Sequence, residues 1–255
     1  MCNFKERKAD ISFVYKQASG VGLPMRIFLP DENVHRAKTV LCIHGGGWTD
    51  AVRDDSEWNG GWMENNAKFL AERGFVAVTA SYRSIELSET LSAADSLEDC
   101  KEVVRYLRKH MSFINFSDIT YFGDSAGGYF AVMMGLSPDD DIRPKTVAAM
   151  NPVLDGLGEK WDYAFKNADI NALTPKNLIG DKCADFLFMH GTADSVADIK
   201  HTEQLNALLG EKGHKSCLKE IPDAEHAFIL YDYKYPDDYV NDKMEIIIKY
   251  INGEN

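Results

Sequence analysis

The sequence predicts an α/β fold, with a mostly parallel central sheet flanked by helices on both faces, an antiparallel N-terminal edge and at most a small cap. Three observations point there. Short apolar runs alternate with helical patterns along most of the 255 residues. Those runs lack polar alternation, as strands covered on both faces do. The composition, 45% hydrophobic and 27% charged, supports a sizeable core without disulfides or metals.

The elements follow in order. ISFVY (11–15) and PMRIFL (24–29), separated by a turn at Gly20 and Gly22, form the antiparallel edge. TVLCIH (39–44) is a buried strand running into three glycines, and a helix over 63–73 stops before Gly74. FVAVTASY (75–82) is the next strand. A helix over 95–109 has Leu97, Cys100, Val103, Val104 and Leu107 on one stripe. DITYFGDS (118–125) is a strand ending in a glycine turn, followed by a small-residue helix at 126–136. VAAMNPVL (147–154) and DFLFMHG (185–191) are strands, and Ile199, Leu205, Leu208 and Leu209 mark a helix. SCLKEI (216–221) is the last strand and 240–251 the closing helix. Repeated strand–helix units of this kind wind into one sheet. With no internal repeat or linker, residues 1–255 read as one domain. Residues 155–183 lack a clear strand and carry Trp161, Tyr163 and Phe165, which suggests a small cap over the sheet's carboxyl edge.

Charge and cysteine usage narrow the function classes. There are 28 Lys and Arg against 40 Asp and Glu, a net charge of −12. That balance disfavours a nucleic acid or an anionic membrane as partner. No apolar run is long enough to span a bilayer, and MCNFKERKAD has no apolar stretch after its charges, unlike a secretory leader. Cys2, Cys42, Cys100, Cys183 and Cys217 are odd in number and without CxxC spacing, so buried free thiols in a reducing cytoplasm are expected. The acidic runs 139–141 and 237–238 lack calcium-loop spacing and read as solvated loops.

Two glycine-rich turns carry the chemistry. Gly123-Asp124-Ser125-Ala126-Gly127-Gly128 matches G-x-S-x-G between a strand and a helix. A serine there is held in a strained turn, so its neighbours must be small. Its hydroxyl stands at a helix N-terminus, where the Ala126 amide can donate to developing negative charge. His44-Gly45-Gly46-Gly47-Trp48 follows the third strand. Glycines let backbone N–H groups converge on one point, and Gly46 and Gly47, with Ala126, are the predicted oxyanion donors. Trp48 N–H is an alternative third donor. His44 is expected to brace the turn. The segment has neither GxGxxG spacing nor a following Lys-Ser/Thr, which disfavours a phosphate loop.

With both turns in view, the sequence resembles the α/β-hydrolase family, and most of all the compact esterases related to hormone-sensitive lipase and to the bifunctional deacetylase/feruloyl esterase group. The resemblance is carried by HGGGW (44–48), SYR (81–83), GDSAGG (123–128), HGTAD (190–194) and EHAF (225–228). It implies carboxylic-ester hydrolysis with no cofactor. Only 43 residues precede His44, too few for the large N-terminal cap of many lipase-like relatives. An open or lightly covered site and short-acyl substrates are expected accordingly.

The family's chain order is Ser, acid, His. His226 follows the last strand at the edge where Ser125 emerges and is the predicted base; His190, His201 and His214 read as structural or solvated. The resemblance places the acid at Asp194, with Asp198 and Asp155 as competitors, while Asp124 is expected to brace the turn. His226 would deprotonate Ser125 as it attacks the ester, with Asp194 orienting the imidazole. Trp48 and Trp161, with Trp58 and Trp62 nearby, are candidates to stack on a sugar or aromatic ring. The expected partner is a small-molecule ester, such as an acetylated or feruloylated saccharide. An amidase of the arylformamidase kind, a peptidase, or a non-catalytic binding protein of this fold are the alternatives.

Overall fold

The computed structural model describes residues 4–31, 34–49, 62–154 and 160–254. Eight strands form one sheet: β1 (Ile11–Ala18), β2 (Val21–Phe28), β3 (Thr39–Ile43), β4 (Val76–Ala80), β5 (Ile119–Asp124), β6 (Thr146–Met150), β7 (Asp185–Gly191) and β8 (Ser216–Ile221). Their spatial order is β1-β2-β4-β3-β5-β6-β7-β8. β1 pairs antiparallel with β2, and β2 antiparallel with β4; every other pair is parallel. The strands from β3 to β7 are apolar on both faces because helices cover both.

Among the described residues, α1 (Glu64–Glu72), α2 (Ala93–His110), α3 (Ala126–Gly135), α5 (Ile199–Glu211) and α6 (Asp237–Asn252) do so, while the one-turn α4 (Asp162–Phe165) packs on α2. Successive strand residues point to opposite sides. Thus Leu41 and Tyr121 join the core under α2, α3 and α5, whereas Cys42 and Phe122 join the one under α1 and α6. α2 starts two residues before the predicted helix, where the Ser92 amide donates to Asp95 at 3.0 Å, and it ends in Arg108, Lys109 and His110. Asp237 and Asp238, expected in a loop, open the first turn of α6, where acidic side chains complement the helix dipole. Cys42 and Cys100 are buried free thiols, but Cys183 and Cys217 are only half-buried. β8 is the outer strand, so Cys217 lacks cover on its far side.

Two ties matter later. The Asp99 carboxylate on α2 accepts from the Arg83 amide (3.0 Å) and Nε (2.7 Å) and from Lys16 Nζ (2.6 Å), joining β1 and the segment after β4 to that helix. At the other end of the sheet, the turn after β7 is stitched to the loop after β8. Thr192 N donates to Ile221 O, and Ala193 N to Ala224 O, both at 3.0 Å.

β4 lies outside β3, and the chain then returns past β3 to form β5. The strand order therefore reverses between β3 and β5, the kind of crevice where open α/β sheets bind ligands. Ile43 and Gly123 are in register there, which brings the two glycine-rich turns side by side at the carboxyl edge. No helix among the described residues is long and apolar enough to cross a membrane.

Candidate active site

Ser125 sits between β5 and α3 with φ 55° and ψ −120°, a conformation that L-residues rarely adopt. Its amide donates to Met150 O at 3.0 Å and its carbonyl accepts the Tyr129 amide at 3.0 Å, so the turn is fixed from both sides. Close approach explains the flanking glycines. A Cβ on Gly123 would stand 2.3 Å from Gly127 O, and one on Gly127 would stand 2.0 Å from Ile43 O.

The structure brings Ser125, His226 and Asp194 together in series. Ser125 Oγ is 2.8 Å from His226 Nε2, and His226 Nδ1 is 2.7 Å from Asp194 Oδ2. A carboxylate can only accept, so Nδ1 carries the proton and Nε2 accepts from the hydroxyl. Asp194 Oδ1 takes the amides of Val196 (2.8 Å) and Ala197 (2.9 Å), which fixes the carboxylate plane. Burial alone would raise the pKa of Asp194. Hydrogen bonds from His190 and His226 and the charge of His226 overcome that, holding the carboxyl well below the usual range. Asp198 instead caps α5 through Lys200 N at 3.0 Å. Asp155 lies outside the described residues. His214 contacts Gly180 O at 2.9 Å, and His201 lies on α5; neither is in the series.

Asp124 is buried beside the serine. Burial raises its pKa to about 6; His226 and Asn151 oppose that shift and the charge of Asp194 adds to it. His44 does brace the glycine turn. Its Nδ1 is 2.8 Å from Gly45 O and its ring stacks on Tyr82 at 4.4 Å. Tyr82 hydroxyl in turn donates to His44 O at 2.9 Å.

A Cβ on Gly45 would stand 2.9 Å from Ser125 Cβ, so the glycine segment runs directly past the serine turn. Gly46 (φ 106°) and Gly47 (φ 60°) adopt left-handed backbone. Among the described residues, the amides of Gly46, Gly47 and Ala126 donate to no acceptor.

The expectation for Trp48 needs correcting. At φ 64° its side chain turns inward and is 0% exposed, its ring packed edge-on against Tyr129, Trp161 and Phe165. It offers no face to a ligand. Trp161 is 8% exposed, and its Cζ3 lies 3.8 Å from where a Cβ on Gly47 would be. Trp62 is well exposed and packs against Tyr233 at 5.7 Å; Trp58, Cys2 and the glycines at 60–61 lie outside the described residues.

Two contacts escaped the sequence reading. Tyr163, on α4, donates its hydroxyl to Gly47 O at 2.9 Å. His190, which read as structural, places Nε2 3.3 Å from Asp194 Oδ2. Its position four residues before Asp194 in HGTAD was the available signal.

The architecture is that of an α/β-hydrolase. Over 96% of this chain and 94% of that one, it superposes on the apo form of Thermogutta terrifontis esterase 2 with a TM-score of 0.81 at 23% identity. The same esterase with propionate bound gives 0.80, and phosphoramylated by tabun gives 0.81 at 22% identity and 95% coverage of this chain. At these identities the likeness is one of fold. The BD-FAE family model matches residues 25–154, just over half of the sequence, and the chain belongs to that family. Among curated proteins, the uncharacterized protein YfhR of Escherichia coli K12 is 28% identical over 198 residues, 73% of this chain. The non-reducing polyketide synthase ascC of Acremonium egyptiacum is 26% identical over 147 residues, 55% of this chain and 7% of its own length. The chain spans 65% of the length of YfhR.

Proposed function

We propose that this protein is a serine carboxylic-ester hydrolase acting through Ser125, His226 and Asp194, on short-acyl or aromatic esters such as acetyl or feruloyl groups on saccharides. The observation that carries the reading is the hydrogen-bonded series of 2.8 Å and 2.7 Å from a serine on a strained strand-to-helix turn. His226 Nε2 takes the proton of Ser125 as Oγ attacks the ester carbonyl, and Asp194 holds the imidazole and stabilises its cation. The amides of Gly46, Gly47 and Ala126 receive the developing oxyanion. The imidazolium then protonates the leaving alcohol. Water, deprotonated by the same imidazole, releases the acid from the acyl-enzyme.

Membership of the BD-FAE family, the deacetylase/feruloyl esterase type, supports ester chemistry and the two acyl classes. The similar esterase is described with propionate and butyrate bound, which favours short acyl chains, and as phosphylated by organophosphorus compounds, which favours a nucleophilic serine. Of the segment 155–183, residues 155–159 lie outside the described residues; from 160 on, with Trp161 and Tyr163 against the glycine turn, it would form a small cap over the site.

A fluorophosphonate probe tests the reading. Mass spectrometry should find the adduct on Ser125, and Ser125→Ala should lose the adduct and about 10⁴-fold or more in kcat while keeping the wild-type circular dichroism. Full turnover in that variant would refute the assignment. Among 4-nitrophenyl acetate, butyrate and octanoate, with methyl ferulate and acetylated xylo-oligosaccharides alongside, a preference for octanoate would overturn the substrate class.

A further inference from the structure

We propose that His190 is a positioning residue for the reaction, acting through Asp194: it shares the Oδ2 atom that His226 uses and so sets both the aim of the acid and the basicity of the base. The inference rests on the catalytic reading of Ser125, His226 and Asp194 above.

His190 is next to last in β7, and its ring is completely buried on the α5 side of the sheet. Nε2 faces two oxygens that can only accept, Ala197 O at 3.1 Å and Asp194 Oδ2 at 3.3 Å. Nδ1 faces the hydroxyl of Thr202 on α5, also completely buried, at 2.9 Å. A neutral imidazole carrying its proton on Nε2 satisfies all three partners at once, with Thr202 donating to Nδ1. The Asp194 carboxylate touches the ring directly. Asp124 on β5 is the other charged group near it, and His226 meets it only through Asp194.

Two consequences follow from that geometry. Asp194 Oδ2 is pinned between imidazoles on different elements, so the carboxylate cannot rotate away from His226. A neutral N–H on Oδ2 also draws charge from it, so less of the carboxylate's charge is left to stabilise an imidazolium at position 226. Burial of Asp194 with His190 foremost among its stabilising partners fits that role. The ring and Thr202 tie α5 to the acid's turn, which couples a helix that carries no proposed catalytic group to the proton path.

Removing the donor should move the pH profile, which a purely structural residue would not do. His190→Phe keeps the ring and deletes both nitrogens. Its kcat should fall about tenfold with KM within about twofold, and the acid limb of kcat/KM should move to higher pH by about half a unit. His190→Gln, which restores an amide N–H, should recover most of both effects. Thr202→Val should shift the limb in the same direction by less. Should His190→Phe fail to fold, ¹⁵N NMR of histidine-labelled wild type still decides: a proton on Nε2 and none on Nδ1 of His190 is expected, and the reverse tautomer overturns the proposal. An acid limb that stays put in a folded His190→Phe also overturns it, even if kcat drops. Absence of a fluorophosphonate adduct on wild-type Ser125 would instead sink the catalytic reading, so the two failures are distinguishable.

Discussion

Asp99 and Asp194 both carry side chains with no exposed surface, yet their surroundings differ in kind. Asp99 is locked between two permanent cations, the guanidinium of Arg83 and the ammonium of Lys16. Asp194 is held by two fixed amide donors and two imidazoles, and among these partners only the imidazoles can exchange protons. The first arrangement ties three segments together through ion pairs. The second keeps a carboxylate ionised while leaving the adjacent base free to gain and lose a proton. A third buried carboxyl, Asp124, has neither solution, and its pKa rises to about 6. Burial alone does not decide what an acidic residue does; the mobility of its partners' protons does.

Breaking the ion cluster should give the largest stability effect. Asp99→Ala leaves Lys16 without its anion and Arg83 with only Asp95 at 3.9 Å, and should cost about 3–5 kcal/mol, read as a lower urea midpoint. Fluorophosphonate labelling of the remaining folded protein should stay at the wild-type rate. A loss below about 1 kcal/mol would mean that Arg83 and Lys16 are solvated in practice and that the contrast with Asp194 fails.

Asp124→Asn should act in the opposite direction. The folded-state pKa of Asp124 is raised from 3.8 to about 6, so the native state binds its proton more tightly than the unfolded chain. Ionisation therefore costs stability: the penalty is absent below about pH 4 and complete above about pH 6. The asparagine variant should be more stable than wild type at pH 8 by about 2–3 kcal/mol, with no difference at pH 4. Equal stability at both pH values would show that Asp124 is satisfied as an anion.

The smallest effect sharpens the picture of the carboxyl edge. Tyr163→Phe deletes the hydroxyl that holds Gly47 O and should lower kcat about fivefold, about 1 kcal/mol in the barrier, with unfolding stability changed by less than about 0.5 kcal/mol. An unchanged kcat would show that the glycine segment holds its shape without α4.

The fold was legible because β3 to β7 are short, mostly apolar runs, so each could be recognised as a strand in chain order; β8, which carries Lys219 and Glu220, is partly exposed at the sheet's edge, and the spatial order came only from the structure. The convergence of Ser125, Asp194 and His226 was legible for a related reason. In a parallel sheet the loops after β5, β7 and β8 leave the same edge, and each residue follows its strand closely. Trp48 misled because its neighbours locate its backbone but not its side chain; the positive φ that turns the ring inward is invisible in a string of letters. Tyr163 was missed in a segment with no periodicity to orient it. The partnership of Lys16 with Asp99 spans 83 residues and has no local signature at all.

The stitching of the β7 turn to the β8 loop has one more consequence. Ala224 O sits so close to the end of β7 that a Cβ on Gly191 would meet it at 2.2 Å, and Ala193 N bonds the same oxygen. Asp194 and His226 therefore ride on a single welded jaw. The opposing jaw is assembled from separately anchored pieces, the glycine segment and α4. On the proposed reading, substitutions in the glycine segment or α4 can therefore reshape the cleft without moving Asp194 relative to His226.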